Sequence, residues 1–314
     1  MSFKVLITCP PMLRNIDQFR DIFEDLNIEI TTPEVVQTLS IEELLAIVPQ
    51  HDGWIIGDDE ANAEVFEIGK AGQLKAAVKW GIGVDNVDFA ACEKLGIPIT
   101  NTPGMFGAEV ADLAMCYVLG LARDAFFIDR EIRKGGWPKP AGISLQGKTI
   151  GIVGLGDIGR NIAKRAKAHD LNIISWDPYA KSVPDYVKLS DAFPESLNKC
   201  DFIVLACALT EENHHLIDES ILDFLKPGVR LVNVSRGPLI KETALLKGLA
   251  NGVITSAALD VFEVEPLNQS NEILNHPKCI VGSHNGSNTI DAVVRASHEA
   301  IRLITTMLEG AIQK

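Results

Sequence analysis

Three glycines at fixed spacing, followed by one acid, carry the most specific chemistry in this chain. Gly154, Gly156 and Gly159 follow a β-branched run that starts at Thr149, and Asp177 stands eighteen residues past the last of them, after a second apolar run over 171–176. Gly154 permits a tight turn out of a strand. Gly156 lets backbone approach a pyrophosphate with no Cβ in the way, and Gly159 lets the following helix pack close to the strand. The N-terminus of that helix offers free N–H groups to an anion. Strand, triplet, helix, strand and terminal acid in this order point to a dinucleotide site, where a lone triplet would indicate only a turn. A carboxylate at Asp177 accepts hydrogen bonds from an adenosine ribose and repels a 2′-phosphate. Pro178, Tyr179 and Ala180 supply no arginine to offset that repulsion, and Lys181 does so only in part. NAD is therefore expected over NADP.

Three further polar residues stand at the ends of apolar, strand-like runs, the edge at which open α/β sheets bind ligands. Arg236 follows 231–235 and precedes Gly237, Glu265 follows 257–264 and precedes Pro266, and His284 follows 279–283. A nicotinamide enzyme acting on an alcohol or ketone needs a proton relay, and histidine is poised for one near neutral pH. A nearby carboxylate stabilises the imidazolium, and an arginine can hold a substrate carboxylate through paired hydrogen bonds. Singly, each of the three also reads as an ordinary surface polar group. Their recurrence downstream of the glycine triplet favours the chemical reading.

The elements that must position these residues alternate between strand-like and helix-like patterns, as in an α/β architecture with parallel sheets. Strands are expected at 4–8, 53–56, 74–78, 202–205, 229–234 and 256–259. Helical spacing is seen at Ile16, Phe19, Phe23 and Leu26, and Ser40 with Glu43 forms a capping-box pattern. A long apolar helix is expected over 108–125 and a last helix from near Asn288. At 314 residues, two domains are expected. About 148 residues precede the glycine strand, so the simplest arrangement is a first α/β domain, a nucleotide domain, and a final helix returning to the first. The crossings are expected at 101–104 and 284–287, which are rich in turn formers, with the substrate in a cleft between domains.

A net charge of −13 argues against nucleic acid or an anionic membrane as partner. Six cysteines are scattered with no C-x-x-C pair, which fits reduced thiols in a cytoplasmic protein, and no metal site is expected. No signal peptide is evident, and the longest apolar stretch, 113–122, is too short to span a bilayer.

Five ordered segments resemble the D-isomer-specific 2-hydroxyacid dehydrogenase family: 80–88, 101–104, 145–149 with the glycine triplet, 232–237 and 259–266. The resemblance implies two doubly wound parallel-sheet domains, a Rossmann NAD domain (102–285) inserted into a flavodoxin-like substrate domain (1–101 and 286–314). It implies that His284 is the acid/base, that Glu265 keeps it charged, and that Arg236 grips the substrate carboxylate. Backbone N–H groups of Ile82 and Gly83 would cradle the same carboxylate. Asp260 would accept from the nicotinamide carboxamide, and Asp157 and Ile158 would offer N–H to the pyrophosphate. The small-molecule partner would be a 2-oxo or 2-hydroxy acid. The long apolar helix, read with the family, suggests a homodimer.

The chain departs from the family pattern in several places. His284 lies in Gly282-Ser-His-Asn285 where a proline usually precedes it, Ala208 replaces a proline, and Lys241 takes a place often held by aspartate. Phosphoglycerate dehydrogenases of this family carry a phosphate-binding arginine where this chain has Asp58, followed by Asp59 and Glu60. These acids would repel a phosphate, although they also suit a solvated helix N-terminus. Lys139 could still meet a phosphate. Alternatives are phosphoglycerate dehydrogenase proper, oxidation of formate or phosphite on the same fold, and a non-catalytic NAD(H) sensor. Glu265 speaks against formate, for which the family carries glutamine.

Overall fold

A computed structural model of the chain describes residues 2–312. The chain forms two compact units, one running to Phe106 and resuming at Asn288, the other spanning Gly107–Ser287.

The first unit is a parallel sheet of β1 (Phe3–Ile7), β2 (Ile28–Thr31), β3 (Gly53–Ile56), β4 (Ala76–Lys79) and β5 (Ile99–Asn101), in the order β2-β1-β3-β4-β5. This is the flavodoxin-like winding. Its helices are α1 (Pro10–Leu13), α2 (Arg20–Asp25), α3 (Ile41–Ile47), α4 (Ala63–Ala71) and α5 (Phe89–Leu95). Every residue of β3 and β4 is buried, as strands covered on both faces require. Edge strands β2 and β5 have few buried positions, so their weak apolar pattern escapes sequence reading. The capping box forms at α3, where the Ser40 N–H donates to Glu43 and the Glu43 N–H to Ser40 Oγ. The helical spacing at 16–26 is broken into a 3₁₀ turn and the short α2, although Phe19 and Phe23 are both buried.

The second unit opens with α6 (Gly107–Arg123) and α7 (Ala125–Arg133). Its sheet comprises β6 (Thr149–Val153), β7 (Asn172–Trp176), β8 (Val187–Leu189), β9 (Phe202–Leu205), β10 (Val229–Asn233), β11 (Ile254–Leu259) and β12 (Cys279–Val281). Read from its β8 edge, the order is β8-β7-β6-β9-β10-β11-β12, all parallel. The first six strands reproduce the 3-2-1-4-5-6 Rossmann order. Here α8 (Asp157–Ala168) follows β6 and α9 (Glu242–Asn251) precedes β11. On α8 the buried residues are Gly159, Ile162, Ala163 and Ala166, one stripe at helical spacing.

The expected helix over 108–125 ends at Arg123, because Asp124 takes φ +52° and starts a new segment. Most of the apolar residues of α6 are buried, and the helix packs on α8, β10 and β11. Its apolar length is therefore largely used within its own unit. The last helix, α10 (Ile290–Ile312), packs on β3 and β4 of the first unit through a stripe that includes Ala296, Ala300, Ile304 and Leu308. No helix among the described residues is long and apolar enough to cross a membrane.

Candidate active site

The glycine segment forms a tight turn between β6 and α8. β6 delivers the chain to Gly154 at φ +95°, where a Cβ would lie 2.7 Å from the backbone of Cys207. Only glycine fits both the angle and the space. A Cβ at Gly159 would lie 2.0 Å from the Gly154 carbonyl oxygen, so this glycine lets α8 lie against β6. Gly156 differs from both, since a Cβ there would meet nothing within 4 Å. That open space lies before the helix N-terminus, where Gly156 is the N-cap and supplies no side chain to cap it. The first intrahelical bond runs from Arg160 N–H to the Gly156 carbonyl. The N–H groups of Asp157 and Ile158 precede it, as the first N–H groups of a helix do, and have no intrahelical partner. On the same turn, Asp157 Oδ2 and Arg160 Nε are buried without a hydrogen-bond partner among the described residues. Arg160 was not anticipated.

Asp177 stands just past β7. Its Oδ2 accepts from Leu155 N–H at 2.7 Å and its Oδ1 from Tyr179 N–H at 2.8 Å. One bond reaches into the glycine turn itself, so the acid and the turn form one rigid piece. The remaining lone pairs of the carboxylate suit a ribose diol. Open space at Gly156, unused helix N–H groups and this acid together fit a dinucleotide.

At the other end of the same sheet edge, His284 and Glu265 meet. His284 Nδ1 lies 2.7 Å from Glu265 Oε2, and Glu265 Oε1 accepts from Phe262 N–H at 2.9 Å. With Nδ1 facing a carboxylate, the proton on that nitrogen is held and the ring is fixed in orientation. His284 has φ +54°, an uncommon angle for a residue with a side chain. Asp260 stabilises this turn. Its carbonyl accepts from His284 N–H at 2.7 Å, its Oδ2 from Gly286 N–H at 2.8 Å and its Oδ1 from the Tyr117 hydroxyl at 3.4 Å. Burial pushes the Asp260 carboxyl above the usual range, against the backbone N–H groups of Asn285 and Gly286 and the charge of His284, which lower it.

Arg236 follows β10 in a turn set by buried Asn233, whose side chain accepts from Ser235 N–H and donates to the Arg236 carbonyl. Gly237 lets that turn lie against the 262–263 backbone, where a Cβ would overlap the Phe262 carbonyl. A second histidine–carboxylate pair braces the loop bearing Glu265. His215 Nε2 lies 2.6 Å from Glu263 Oε1, and Glu263 Oε2 accepts from Glu242 N–H at the start of α9. Neither Asn233, Tyr117 nor His215 was anticipated, and Tyr117 and His215 act through partners distant in sequence. For Asn233 a signal existed, a polar amide inside an apolar strand. Lys241 pairs with Glu219 at 3.0 Å.

Ile82 and Gly83 belong to the first unit, in the loop after β4. Thr102 anchors that loop by accepting from Gly81 N–H at 2.9 Å, and Asn101 Nδ2 donates to the Ile82 carbonyl at 3.1 Å. Neither the Ile82 nor the Gly83 N–H has an acceptor among the described residues. The acids at 58–60 are not a helix N-terminus, since α4 starts at Ala63 behind its cap Asn62. Asp59 is fully buried and accepts from Thr8 Oγ1, Leu39 N–H and Gly57 N–H. Burial raises its pKa. It is a structural acid and does not face a ligand.

Comparison with known proteins agrees with this geometry. Residues 115–286 match the family described as D-isomer specific 2-hydroxyacid dehydrogenase, NAD binding domain. The chain is 37% identical to a hydroxypyruvate reductase of Thermotoga maritima over 275 residues, covering 85% of this chain and 88% of the relative. It is 36% identical to a D-3-phosphoglycerate dehydrogenase of Methanocaldococcus jannaschii, covering 90% of this chain but only 55% of that protein. The solved structure of the TT0316 protein of Thermus thermophilus superposes with a TM-score of 0.87 at 30% identity, covering 98% of this chain and 97% of that one. With a Rossmann unit, a glycine cradle and a matching sequence over most of its length, the chain belongs to the D-isomer-specific 2-hydroxyacid dehydrogenase family, and its second unit carries that family's NAD-binding domain.

Proposed function

We propose that this NAD-dependent enzyme interconverts a small 2-oxo acid and its D-2-hydroxy acid, and that His284, Glu265 and Arg236 do the chemistry. The observation that carries the proposal is the 2.7 Å contact between His284 Nδ1 and Glu265 Oε2, a histidine held by a carboxylate at one ring nitrogen. Bound NADH supplies the hydride that reaches the carbonyl carbon. In that direction His284 Nε2 donates its proton to the carbonyl oxygen, and in the reverse direction it accepts the hydroxyl proton. Glu265 holds the imidazolium before transfer. Arg236 binds the substrate carboxylate by paired hydrogen bonds, and the N–H groups of Ile82 and Gly83 donate to the same carboxylate.

The cofactor would be held at Gly154, Gly156 and Gly159, with the Asp157 and Ile158 N–H groups at the pyrophosphate and Asp177 at the adenosine ribose. Asp177 favours NAD over NADP. Asp260 would receive the carboxamide while it stabilises the histidine turn. The substrate domain is assigned to 1–101 with 286–314 and the NAD domain to 102–285. A homodimer in the cytoplasm completes the proposal. It draws support from α7, which buries none of its residues and exposes Phe126 and Ile132, and from six free cysteines.

The test is NADH oxidation with glyoxylate, pyruvate, hydroxypyruvate, 2-oxoglutarate, a branched 2-oxo acid and 3-phosphohydroxypyruvate, run beside His284→Ala. Turnover that falls about 10²–10⁴-fold in the variant, with NADH still binding, supports the proposal. Silence across the panel with NADH bound would leave a dinucleotide sensor as the better reading.

A further inference from the structure

β4 ends in a lysine that the chemistry above does not use. Lys79 is 3% exposed, and its Nζ lies 2.5 Å from the Gly57 carbonyl oxygen and 3.1 Å from Asp58 Oδ1. The same ammonium is 3.6 Å from the position a Cβ would take on Gly81, the first residue of the Gly81–Gly83 loop. A buried ammonium is costly unless paired, and Asp58 supplies the charge. Asp58 is itself half-exposed, with 52% of its side chain open to solvent. The oxygens of Asp59 are committed to Thr8, Leu39 and Gly57.

We infer that the Asp58–Lys79 pair determines specificity, restricting the enzyme to 2-oxo acids whose side chain carries no negative charge. The inference rests on the proposed dehydrogenase activity and on the Ile82 and Gly83 N–H groups as the carboxylate cradle. An unpaired ammonium beside Gly81, the residue before that cradle, would attract a second anionic group on the substrate. Asp58 cancels its charge and is the exposed, negative end of a pair whose positive end is buried, so a phosphate or second carboxylate gains no attraction and meets the negative end first. A small uncharged side chain meets neither effect. Were the pair only a brace for the loop, its loss would change stability and overall rate without changing the preference between charged and uncharged substrates.

The experiment compares kcat/KM for 3-phosphohydroxypyruvate and hydroxypyruvate in the wild-type protein, Asp58→Asn and the double variant Asp58→Asn/Lys79→Met. The wild type should favour hydroxypyruvate. In Asp58→Asn the ratio should move at least about tenfold toward the phosphorylated acid, the scale on which close like charges discriminate, and the double variant should lose that gain. An unchanged ratio in an active Asp58→Asn protein overturns the inference, as does a wild type that prefers the phosphorylated acid or a gain that persists in the double variant. Calorimetric titration of the NADH-loaded wild type and Asp58→Asn with inorganic phosphate gives a readout independent of turnover. If the wild type turns over no 2-oxo acid, the dehydrogenase proposal fails, and this titration alone decides the charge mechanism. Tighter phosphate binding by Asp58→Asn supports it, and equal binding overturns it.

Discussion

A histidine at φ +54° is held in place by its neighbours. Asp260 supplies acceptors for the N–H groups of His284 and Gly286, and Glu265 fixes the ring. The same carboxylate stabilises positive charge that develops on the ring. Glu265→Gln keeps the size and removes that charge. Turnover should fall about tenfold with NADH affinity unchanged, and Glu265→Asp should restore part of it. Steady-state rates beside NADH titrations check this. Equal rates in Glu265→Gln and the wild type would mean that the charge of Glu265 is not needed.

At the scale of elements, the glycines separate cofactor binding from stability. Gly156→Ala adds a methyl where nothing lies within 4 Å, so thermal stability should be nearly unchanged while NADH affinity falls. Gly159→Ala drives a Cβ into the Gly154 carbonyl, forcing α8 away from β6, and should destabilise by about 1–3 kcal/mol. Thermal melts beside NADH fluorescence titrations distinguish the two. The strand starts contain an acid–base link of a different kind. Asp201 accepts from Lys226 Nζ at 2.8 Å and from Thr149 N–H at 2.9 Å, tying β6 and β9 to the turn before β10. Burial works to raise its carboxyl, but Lys226 and the Thr149 N–H outweigh it and hold it below the usual range. Its stabilisation is therefore complete above the unfolded value of about 4 and is lost as pH falls through the lower folded value. Asp201→Asn should cost about 1 kcal/mol at pH 7 after solvent screening, a difference that vanishes in strongly acidic urea melts.

Across the whole molecule, a unit begun at the N-terminus is completed by the last helix. Ile304 of α10 is fully buried, 3.1 Å from where a Cβ on Gly53 would sit. Ile304→Ala should destabilise by about 2–5 kcal/mol. The loss should appear first in the fluorescence of Trp54 and Trp80, which lie in that unit, and later in that of Trp176. Local rules made much of this molecule legible in advance. The glycine turn, the acid after the next strand and the buried central strands follow from backbone freedom and from apolar runs that neighbouring residues can express. Arg236, Glu265 and His284 also stood out in the sequence, since each follows an apolar run, and the structure pairs His284 with Glu265. What remained hidden depends on contacts between residues far apart in the chain. Asp59 looked like a solvated acid until Thr8 and Leu39 were brought to it, and no local pattern marked Lys79, which Gly57 and Asp58 enclose. The burial and charge balance of a polar side chain depend on partners supplied by folding, whereas the tendency to turn, pleat or coil is largely written in the residues themselves.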